Sequence, residues 1–216
     1  MHDATEAYLE TILEIEEEGV TPIRARIVER LGLSAAAVSE QVNRLVEQGY
    51  AELLDDRSLR LTTRGRALAT SIVRRHRLAE RLLVDVIGLD WDKAHVEAGR
   101  WEHVISDDVE ERLVVLLGNP TTCPHGNPIP GVERRGPEQR RLAEAQPGER
   151  IRLERITESV EHDAESLSYL GDHGLTPGIT ARIEARAPDG TLTLAIDGTT
   201  VALGPAMTRR MYVASA

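Results

Sequence analysis

A stretch rich in aliphatic residues contains five titratable side chains at helical spacings: His76, Glu80, His95, Glu102 and His103. His76 and Glu80 are four positions apart, so they share one face of a helix. Glu102 and His103 lie seven and eight positions after His95, so these three residues also share one face of a helix. Two such helices packed together would gather imidazoles and carboxylates, the ligand types that suit divalent iron, manganese, cobalt or zinc. Polar residues on two solvated helix surfaces would show the same spacing, which alone does not decide between these interpretations.

The composition describes a globular protein with room for more than one domain. The chain has 216 residues, of which 41% are hydrophobic, so it can bury a core. The single cysteine, Cys123, excludes an internal disulfide and is typical of a reducing cytoplasm. No apolar run approaches the roughly 18 residues of a membrane-spanning helix, and no signal segment opens the sequence. We therefore predict a cytoplasmic protein without a membrane partner.

Charge is distributed unevenly along the chain. The formal net charge is −10, which opposes indiscriminate binding to nucleic acid. Residues 22–76, however, carry ten arginines against six acids, whereas residues 1–18 hold no Lys or Arg. An arginine-rich region inside an acidic protein is typical of a DNA reader that has a second task. An ordinary solvated surface gives the same composition, so charge alone leaves both interpretations open.

The stretch TPIRARIVERLGLSAAAVSEQVNRLVEQG predicts a helix-turn-helix. A first helix at about residues 22–31 ends at Gly32, and Ser34 can cap a second helix that Gly49 closes. The following YAELLDDRSLRLTT predicts two short strands around a polar turn at residues 55–58, which is the pattern of a wing. Together these elements favour a winged helix-turn-helix that binds DNA.

The outward face of the second helix is predicted to enter the major groove of DNA. Small side chains around Ala36 can approach thymine methyl groups, and Glu40 can accept a hydrogen bond from cytosine N4. The candidate DNA-binding residues are Arg24, Ser34, Ala36, Ser39, Glu40, Asn43, Arg44, Arg57 and Arg60. Because one copy would read few bases, a homodimer on palindromic DNA is expected.

The rest of the chain divides into a helical and a β-rich part. Three helices are predicted near residues 64–88, 91–106 and 107–117. An apolar stripe in this region, either core or dimer seam, consists of Leu78, Leu82, Val86 and Leu89. A Pro/Gly-rich loop follows at 119–131, and residues 132–150 have the Arg-, Glu- and Pro-rich composition of a linker. Beyond it, alternating polar and apolar residues with two Asp-Gly turns predict a small β-barrel.

Four segments together carry a specific family signature: EEEGVTPIRARI, RHRLAERLLVDVIGL, RWEHV and NPTTCPHGNPIPG. The chain resembles the diphtheria-toxin-repressor family of iron-dependent regulators from about Asp3 to Gly131, and less strongly through the barrel. The resemblance implies an α+β multidomain fold with an N-terminal winged helix-turn-helix, an all-α dimerisation and metal domain, and a C-terminal SH3-like β-barrel. The boundaries that we assign are 1–70 for the winged helix, 71–133 for the helical domain, 134–149 for a linker and 150–216 for the barrel.

The resemblance also implies two metal sites. The ancillary site is expected at His76, Glu80, His95, Glu158 and Glu161, the last two from the segment ITESVEHDAESL. Glu161 stands where relatives usually carry Gln, and its carboxylate remains a ligand for a hard cation. Fe²⁺ is the expected cofactor, with Mn²⁺ as the alternative and Co²⁺, Ni²⁺ or Zn²⁺ as substitutes in vitro.

At the primary site the chain departs from the family's iron regulators. Glu102 and His103 match, but Ala7 and Gly99 stand where those regulators use Met and Cys. Glu10 matches a ligand of the manganese-sensing branch. One hypothesis is a site of Glu10, Glu102, His103, a backbone carbonyl near Gly99 and water, with oxygen and nitrogen ligands only. The other is a degenerate primary site, with sensing left to the ancillary ligands.

The function that the resemblance implies is a divalent-metal-dependent transcriptional repressor of iron or manganese homeostasis, not an enzyme. The metal-loaded homodimer would bind palindromic operator double-stranded DNA, with one or two dimers on each operator. The alternative is a regulator of the same fold whose primary site no longer senses metal. A metal-dependent hydrolase is disfavoured because the sequence contains no HExxH motif, nucleophile elbow or phosphate loop. Recognition-helix residues differ from those of the iron regulators, so their operator sequence does not carry over.

The residues that we leave without an assigned role include three ligand-type side chains and one thiol. His2, Asp3 and His125 are expected to be solvated and not to bind metal. Cys123 is expected to pack or to lie free in its loop.

Overall fold

A computed structural model describes residues 4–133 and 136–216, and its first part is a winged helix-turn-helix. Helices α1 (Ala4–Glu17), α2 (Arg24–Leu31) and α3 (Ala35–Glu47) precede the antiparallel strands β1 (Ala51–Leu53) and β2 (Leu59–Leu61). The side chain of Ser34 caps α3 by accepting from the backbone amide of Ala37. Leu9, Ile27 and Val42, one from each helix, are fully buried in a common core.

The middle of the chain is helical. Helix α4 (Thr63–Arg81) continues as a π-helical turn at Leu82–Ile87, and α5 (Ala94–Trp101) and α6 (Asp107–Leu116) follow a 3₁₀ turn at Trp91–Lys93. Leu78, Leu83 and Ala98 bury the face between α4 and α5. The predicted apolar stripe divides between core and surface, because Leu78 is fully buried and Val86 is 56% exposed.

The C-terminal part is an antiparallel six-stranded sheet in the order β3-β8-β4-β5-β6-β7. Its strands are β3 (Arg140–Arg141), β4 (Arg150–Ile156), β5 (Thr180–Arg186), β6 (Leu192–Ile196), β7 (Thr199–Leu203) and β8 (Met211–Ser215). Helices α7 (Glu158–Glu161) and α8 (Ala164–Asp172) follow β4, and α9 (Pro205–Thr208) precedes β8. Ile151, Ile183 and Leu194 are buried in the core of this sheet.

The architecture confirms the α+β fold predicted from the sequence, with a winged helix, a helical part and a C-terminal sheet domain. The predicted linker at 134–149 differs from the structure, because β3 pairs with β8 and Leu142 and Ala145 are buried in the sheet core. A short edge strand can keep charged side chains in water, which is why this segment has the composition of a linker. Residues 134 and 135, together with His2 and Asp3, lie outside the described residues. Within the described ranges, no helix is both long and apolar enough to cross a membrane.

Candidate metal centre

Four chain segments bring metal-ligating side chains together between the helical part and the sheet: α4, α5, the loop at 119–131 and α7. The side chains, which we call the central cluster, are His76, Glu80, His95, Cys123, His125, Glu158 and Glu161. His95 is 7% exposed and the others are less exposed still. Burying this many ionisable groups is costly unless they are paired with one another or bind a metal.

Four of these side chains form a closed ring of nitrogen and oxygen atoms. His95 Nδ1 lies 3.3 Å from both Glu80 Oε1 and Glu161 Oε2. His125 Nδ1 lies 3.3 Å from Glu80 Oε1 and 3.0 Å from Glu161 Oε2. Ligand atoms bound to one cation at about 2.0–2.2 Å are separated by roughly 3 Å, so each side of the ring has the length expected between neighbouring metal ligands.

The ring nitrogen of His125 that faces the cluster carries a lone pair in the neutral imidazole. His125 Nε2 lies 3.2 Å from the carbonyl of Trp91, which can only accept, so the hydrogen resides on Nε2. Neither His125 Nδ1 nor Glu161 Oε2 makes an aligned hydrogen bond, despite their close contact. Within residues 4–133 and 136–216, four of the six buried side-chain atoms without a hydrogen-bond partner belong to the central cluster. Such atoms are rare in native proteins, and a missing ion is one physical reason for them.

His76 is oriented by a carboxylate outside the central cluster. Its Nδ1 lies 2.5 Å from Glu102 Oε2, while its Nε2 lies 3.2 Å from Glu80 Oε1 and 3.0 Å from His95 Nδ1. A carboxylate that accepts the hydrogen of one ring nitrogen directs the lone pair of the other toward a cation. Glu102 therefore supports His76 as a ligand of the central cluster.

Glu158 is held in place by a fully buried arginine. Arg77 donates from Nε and Nη2 to Glu158 Oε1 at 3.1 and 2.9 Å, and from Nη2 to Glu17 at 2.6 Å. Its Nη1 donates to the carbonyl of Pro128. Glu158 Oε2 has no hydrogen-bond partner and lies 3.7 Å from His95 Nδ1. Arg77 thus satisfies one oxygen of Glu158 and leaves the other available to a cation.

The protonation states show how the central cluster is balanced without a cation. Burial disfavours the charged form of His95, but two neighbouring carboxylates outweigh it and raise the pKa of His95 to about 10. Burial raises the pKa of the Cys123 thiol to about 12. Burial also opposes ionisation of Glu80, but His125 and His76 overcome it and hold the pKa of Glu80 well below its ordinary value. Protons on the imidazoles therefore balance the carboxylates, and a divalent cation would replace those protons.

Cys123 and His125 are candidates that the sequence interpretation missed. The expectation that His125 is solvated is wrong, because its side chain is fully buried, as is the free thiol of Cys123. The available signal was the segment Cys-Pro-His-Gly, which places a thiol and an imidazole two residues apart. Gly126 has φ +87°, and a Cβ there would lie 2.0 Å from the Glu154 carbonyl of β4. This close approach of loop and strand turns His125 toward the cluster.

A second group of ligand-type residues, which we call the first-helix cluster, consists of Glu6, Glu10, Glu102 and His103. His103 Nε2 lies 3.0 Å from Glu102 Oε1, and His103 Nδ1 lies 2.6 Å from Glu6. Glu10 Oε1 lies 4.0 Å from His76 Nδ1. Burial, reinforced by the charge of Glu102, raises the pKa of Glu10 well above its ordinary value. The three residues predicted for the primary site thus lie close to one another, and Glu6 joins them.

The two positions that lack a family ligand open onto empty space. Ala7 and Gly99 line a cavity of about 290 Å³ that Glu10 and Glu102 also line. A Cβ at Gly99 would meet no atom within 4 Å. Neither position carries a donor side chain, so among the described residues the first-helix cluster has four ligand-type side chains and the central cluster has seven.

The predicted DNA-binding residues lie on the winged helix. Those on α3 or just before it are half-buried at Ser39 and exposed at Ser34, Ala36, Glu40, Asn43 and Arg44. On the wing, Arg57 and Arg60 are exposed. Arg24 donates to Asn43 at 2.9 Å, and Arg60 pairs with Glu52 at 2.7 Å. Arg57 lies at the tip of the wing with φ 66°. These contacts between exposed side chains are weak enough to exchange for contacts with a nucleic acid.

Comparisons with known proteins assign the three parts of the chain to known families. Residues 1–59 match the iron dependent repressor N-terminal DNA-binding domain. Residues 62–131 match the iron dependent repressor metal-binding and dimerisation domain. Residues 140–215 match the FeoA domain. The domain order agrees with that expected from the sequence.

Similar full-length proteins include metal-dependent repressors from several bacteria. The iron-dependent repressor IdeR of Mycobacterium tuberculosis is 49% identical over 91% of this chain and 90% of its own. The diphtheria toxin repressor of Corynebacterium diphtheriae is 45% identical over 93% and 92%. A solved manganese-dependent transcriptional repressor in complex with manganese superposes with a TM-score of 0.87 at 33% identity, covering 99% of this chain and 100% of its own. The chain therefore belongs to the iron-dependent repressor family that includes the diphtheria toxin repressor.

Proposed function

We propose that this chain is a divalent-metal-dependent transcriptional repressor, which binds palindromic operator DNA as a homodimer when it is loaded with metal. The observation that supports this most directly is the central cluster, where buried donor atoms converge and four of them have no hydrogen-bond partner. The exposed face of α3 and the wing supply a DNA-reading surface on the same chain. Iron-dependent and manganese-dependent repressors among its relatives support the same conclusion.

Fe²⁺ is the metal that we propose for the central cluster, with Mn²⁺ as the alternative. The three imidazoles and three carboxylates suit either ion, and Cys123 adds a softer sulfur donor that favours Fe²⁺ over Mn²⁺. Co²⁺, Ni²⁺ and Zn²⁺ have the same ligand preferences and would substitute in vitro. The first-helix cluster, with fewer ligands, would bind a cation more weakly and is not the main sensor in this proposal.

The residues of the central cluster lie where they can couple metal binding to DNA binding. The bound cation would supply the positive charge that holds the carboxylates of α4 and α7 together once the neighbouring imidazoles have lost their balancing protons. Arg77 on α4 links Glu158 of α7 to Glu17 of α1, so the position of α7 is joined to a helix of the winged-helix core. A fixed arrangement of these helices would set both recognition helices of a dimer about one DNA turn, or roughly 34 Å, apart.

The helical part presents the surface that we propose for dimerisation. Its exposed large apolar side chains are Val86, Ile87, Val96, Val104, Val109, Val115 and Leu116. A cavity of about 570 Å³ in the same part of the chain is lined by apolar residues such as Leu83 and Trp101 together with four charged residues. Exposed apolar side chains with polar residues around them are typical of a subunit interface. A second copy of the chain is the occupant we propose.

The experiment that tests the proposal measures metal affinity and DNA affinity on the same protein. A duplex is selected from a random pool with Mn²⁺-loaded protein, and its binding is followed by fluorescence anisotropy with metal and with chelator. Because linkage is reciprocal, the factor by which metal tightens DNA binding must equal the factor by which DNA tightens metal binding. We expect a factor of at least ~10, which corresponds to about 1.4 kcal/mol.

The alternative, a repressor of the same fold that no longer senses metal, is favoured by one observation, the absence of donor side chains at Ala7 and Gly99. It expects DNA binding to be equal with metal and with chelator. Equal affinity in both conditions would therefore reject the metal-dependent proposal and leave this alternative.

A further inference from the structure

The central cluster contains more donors than one cation can use. Seven side chains converge, whereas first-row divalent ions bind four to six ligands. The donors form three overlapping sets, which are His76, Glu80 and His95, then His95, Glu158 and Glu161, and finally Glu80, Cys123, His125 and Glu161. The first two sets share His95, so we take them together as one group, supplied by α4, α5 and α7, and the third set as the other.

Only two side chains belong to both groups, and each can bridge. Glu80 Oε1 lies 3.2 Å from His76 Nε2 on one side and 3.3 Å from His125 Nδ1 on the other. Glu161 Oε2 lies 3.3 Å from His95 Nδ1 and 3.0 Å from His125 Nδ1. Glu80 Oε2 and Glu161 Oε2 have no hydrogen-bond partner. Carboxylates placed in this way bridge the ions of two-metal centres, which lie roughly 3.5–4 Å apart.

The charges of the donors agree with two ions. Glu80, Glu158, Glu161 and the thiolate that a metal makes of Cys123 by displacing its proton carry four negative charges. The guanidinium of Arg77 does not neutralise Glu158 alone, because it lies 2.9 Å from Glu158 and 2.6 Å from Glu17. One divalent ion would leave buried negative charge uncompensated, whereas two would match it.

We propose that the central cluster holds a pair of divalent transition-metal ions bridged by Glu80 and Glu161. One ion is bound by the imidazoles of His76 and His95 with Glu158, and the other by Cys123 and His125. The second ion displaces the thiol proton of Cys123, which is released to solvent. This inference rests on the proposed function, since it deepens the description of the same metal site.

The test counts ions and detects their bridge in the full-length protein. Metal-free wild type and the C123A/H125A variant are saturated with Co²⁺ or Mn²⁺, and bound metal is measured after dialysis. We expect the variant to bind one ion fewer per chain than wild type. We also expect magnetic coupling in the electron paramagnetic resonance of the Mn²⁺-loaded wild type, and none in the variant.

The bridge itself is tested by Glu161→Gln, in which the amide offers one oxygen and no charge. We expect this variant to lose the magnetic coupling and one bound ion, while the matched control Glu165→Gln, an exposed acid of α8, behaves as wild type. Circular dichroism establishes whether each variant is folded. If C123A/H125A does not fold, the Glu161→Gln variant provides the test.

The outcomes separate this inference from the proposed function. Equal ion counts in wild type and C123A/H125A, with uncoupled Mn²⁺ at saturation, would overturn the bridged pair. In that case the absorption band of a Co²⁺–thiolate bond would appear with the first equivalent of Co²⁺ or would not appear at all. Metal-dependent DNA binding would be retained. DNA binding that is indifferent to chelator would instead reject the proposed function, whatever the ion count.

Discussion

The environment of a single imidazole shows how the protein orients a candidate metal ligand. The Trp91 carbonyl accepts from His125 Nε2, so Nδ1 faces the carboxylates and offers its lone pair to a cation once its proton is displaced. His76 is prepared in the same way by Glu102. The two histidines thus use different partners, a backbone carbonyl and a carboxylate, to reach the same state.

Because Glu102 orients a ligand in this arrangement, its replacement has a smaller effect than the loss of a ligand. Glu102→Gln retains an oxygen that accepts from His76, so we expect metal affinity within about tenfold of wild type. His95→Ala removes a nitrogen from the centre of the cluster, and we expect a loss greater than roughly a hundredfold, together with loss of metal-dependent DNA binding. Isothermal titration with Mn²⁺ measures both. The reverse order of effects would place the sensing site at the first-helix cluster.

Arg77 is the residue whose loss should destabilise the metal-free protein most clearly. Arg77→Met leaves Glu158 and Glu17 without their buried partner, and breaking such a pair costs about 3–5 kcal/mol. The matched control is Arg152→Met, which removes an exposed pair with Glu154 and should cost about 1 kcal/mol or less. Urea unfolding followed by circular dichroism measures both. Equal midpoints for the two variants would contradict the structural role of Arg77.

The proximity of the helical side chains in the central cluster could be predicted from the sequence, and the position of the loop side chains could not. His76 and Glu80 are four residues apart on α4, a spacing that fixes their common face locally. The direction of His125 depends on the contact of Gly126 with Glu154, 28 positions further along the chain. The segment Cys-Pro-His-Gly shows that a thiol and an imidazole are close in sequence, but no local pattern reports a contact of that kind, so their burial in the cluster could not be predicted.

At the scale of elements, the loop at 119–131 acts as a rigid part of the site. The Cys123 amide donates to the Asn127 carbonyl at 2.8 Å, and the Ile156 amide donates to the His125 carbonyl at 2.9 Å. The side chain of Asn127 also donates to the Ile156 carbonyl at 2.8 Å. The loop is thereby attached to β4, and its ligands move with the sheet domain.

We expect Gly126→Ala to displace this loop. An added Cβ would lie 2.0 Å from the Glu154 carbonyl, and φ +87° is unfavourable for alanine, so backbone must move. The ligands Cys123 and His125 should be lost from the cluster, with a metal affinity close to that of C123A/H125A. Gly204→Ala is the control, since its Cβ would meet no atom within 4 Å. Unchanged cobalt–thiolate absorption in Gly126→Ala would show that the loop tolerates the added carbon.

The helix-turn-helix, the wing and the strands around the Asp-Gly turns were predictable because their signals are local. Ser34 caps α3, as its position just before a helical repeat of apolar residues predicts. Asp197 and Gly198 have φ 46° and 86°, which suits a two-residue hairpin turn. The edge strand β3 was not predictable, because its pairing with β8 joins residues about 70 positions apart. The amino-acid composition of residues 134–149 favoured a linker instead.

At the scale of the whole molecule, the exposed apolar surface of the helical part leads to a prediction about assembly. Val104 is 78% exposed and Val115 is 72% exposed, so neither contributes to the core of one chain. We expect the double variant V104E/V115E to dissociate into monomers at concentrations where wild type is dimeric, because carboxylates would be buried at the interface. Ala202→Glu on β7, which is also exposed, is the control.

Sedimentation equilibrium gives the mass of each variant, and circular dichroism gives its folding. We expect a dimer dissociation constant at least ~10-fold higher for V104E/V115E, and a parallel loss of DNA affinity because half-sites are read in pairs. Wild-type assembly in this variant would exclude the surface as the subunit interface. Dimerisation in Ala202→Glu should be unaffected.

Arg77 and Glu158, which are in contact, are 81 positions apart in sequence. During translation the DNA-reading head is complete long before α7 has been made, and at about 5–20 residues per second the delay is several seconds. A nascent chain in that interval has a recognition helix but still lacks Glu158 and Glu161. In the proposed mechanism, the order of synthesis therefore prevents a partly synthesised chain from responding to metal before α7 has been made.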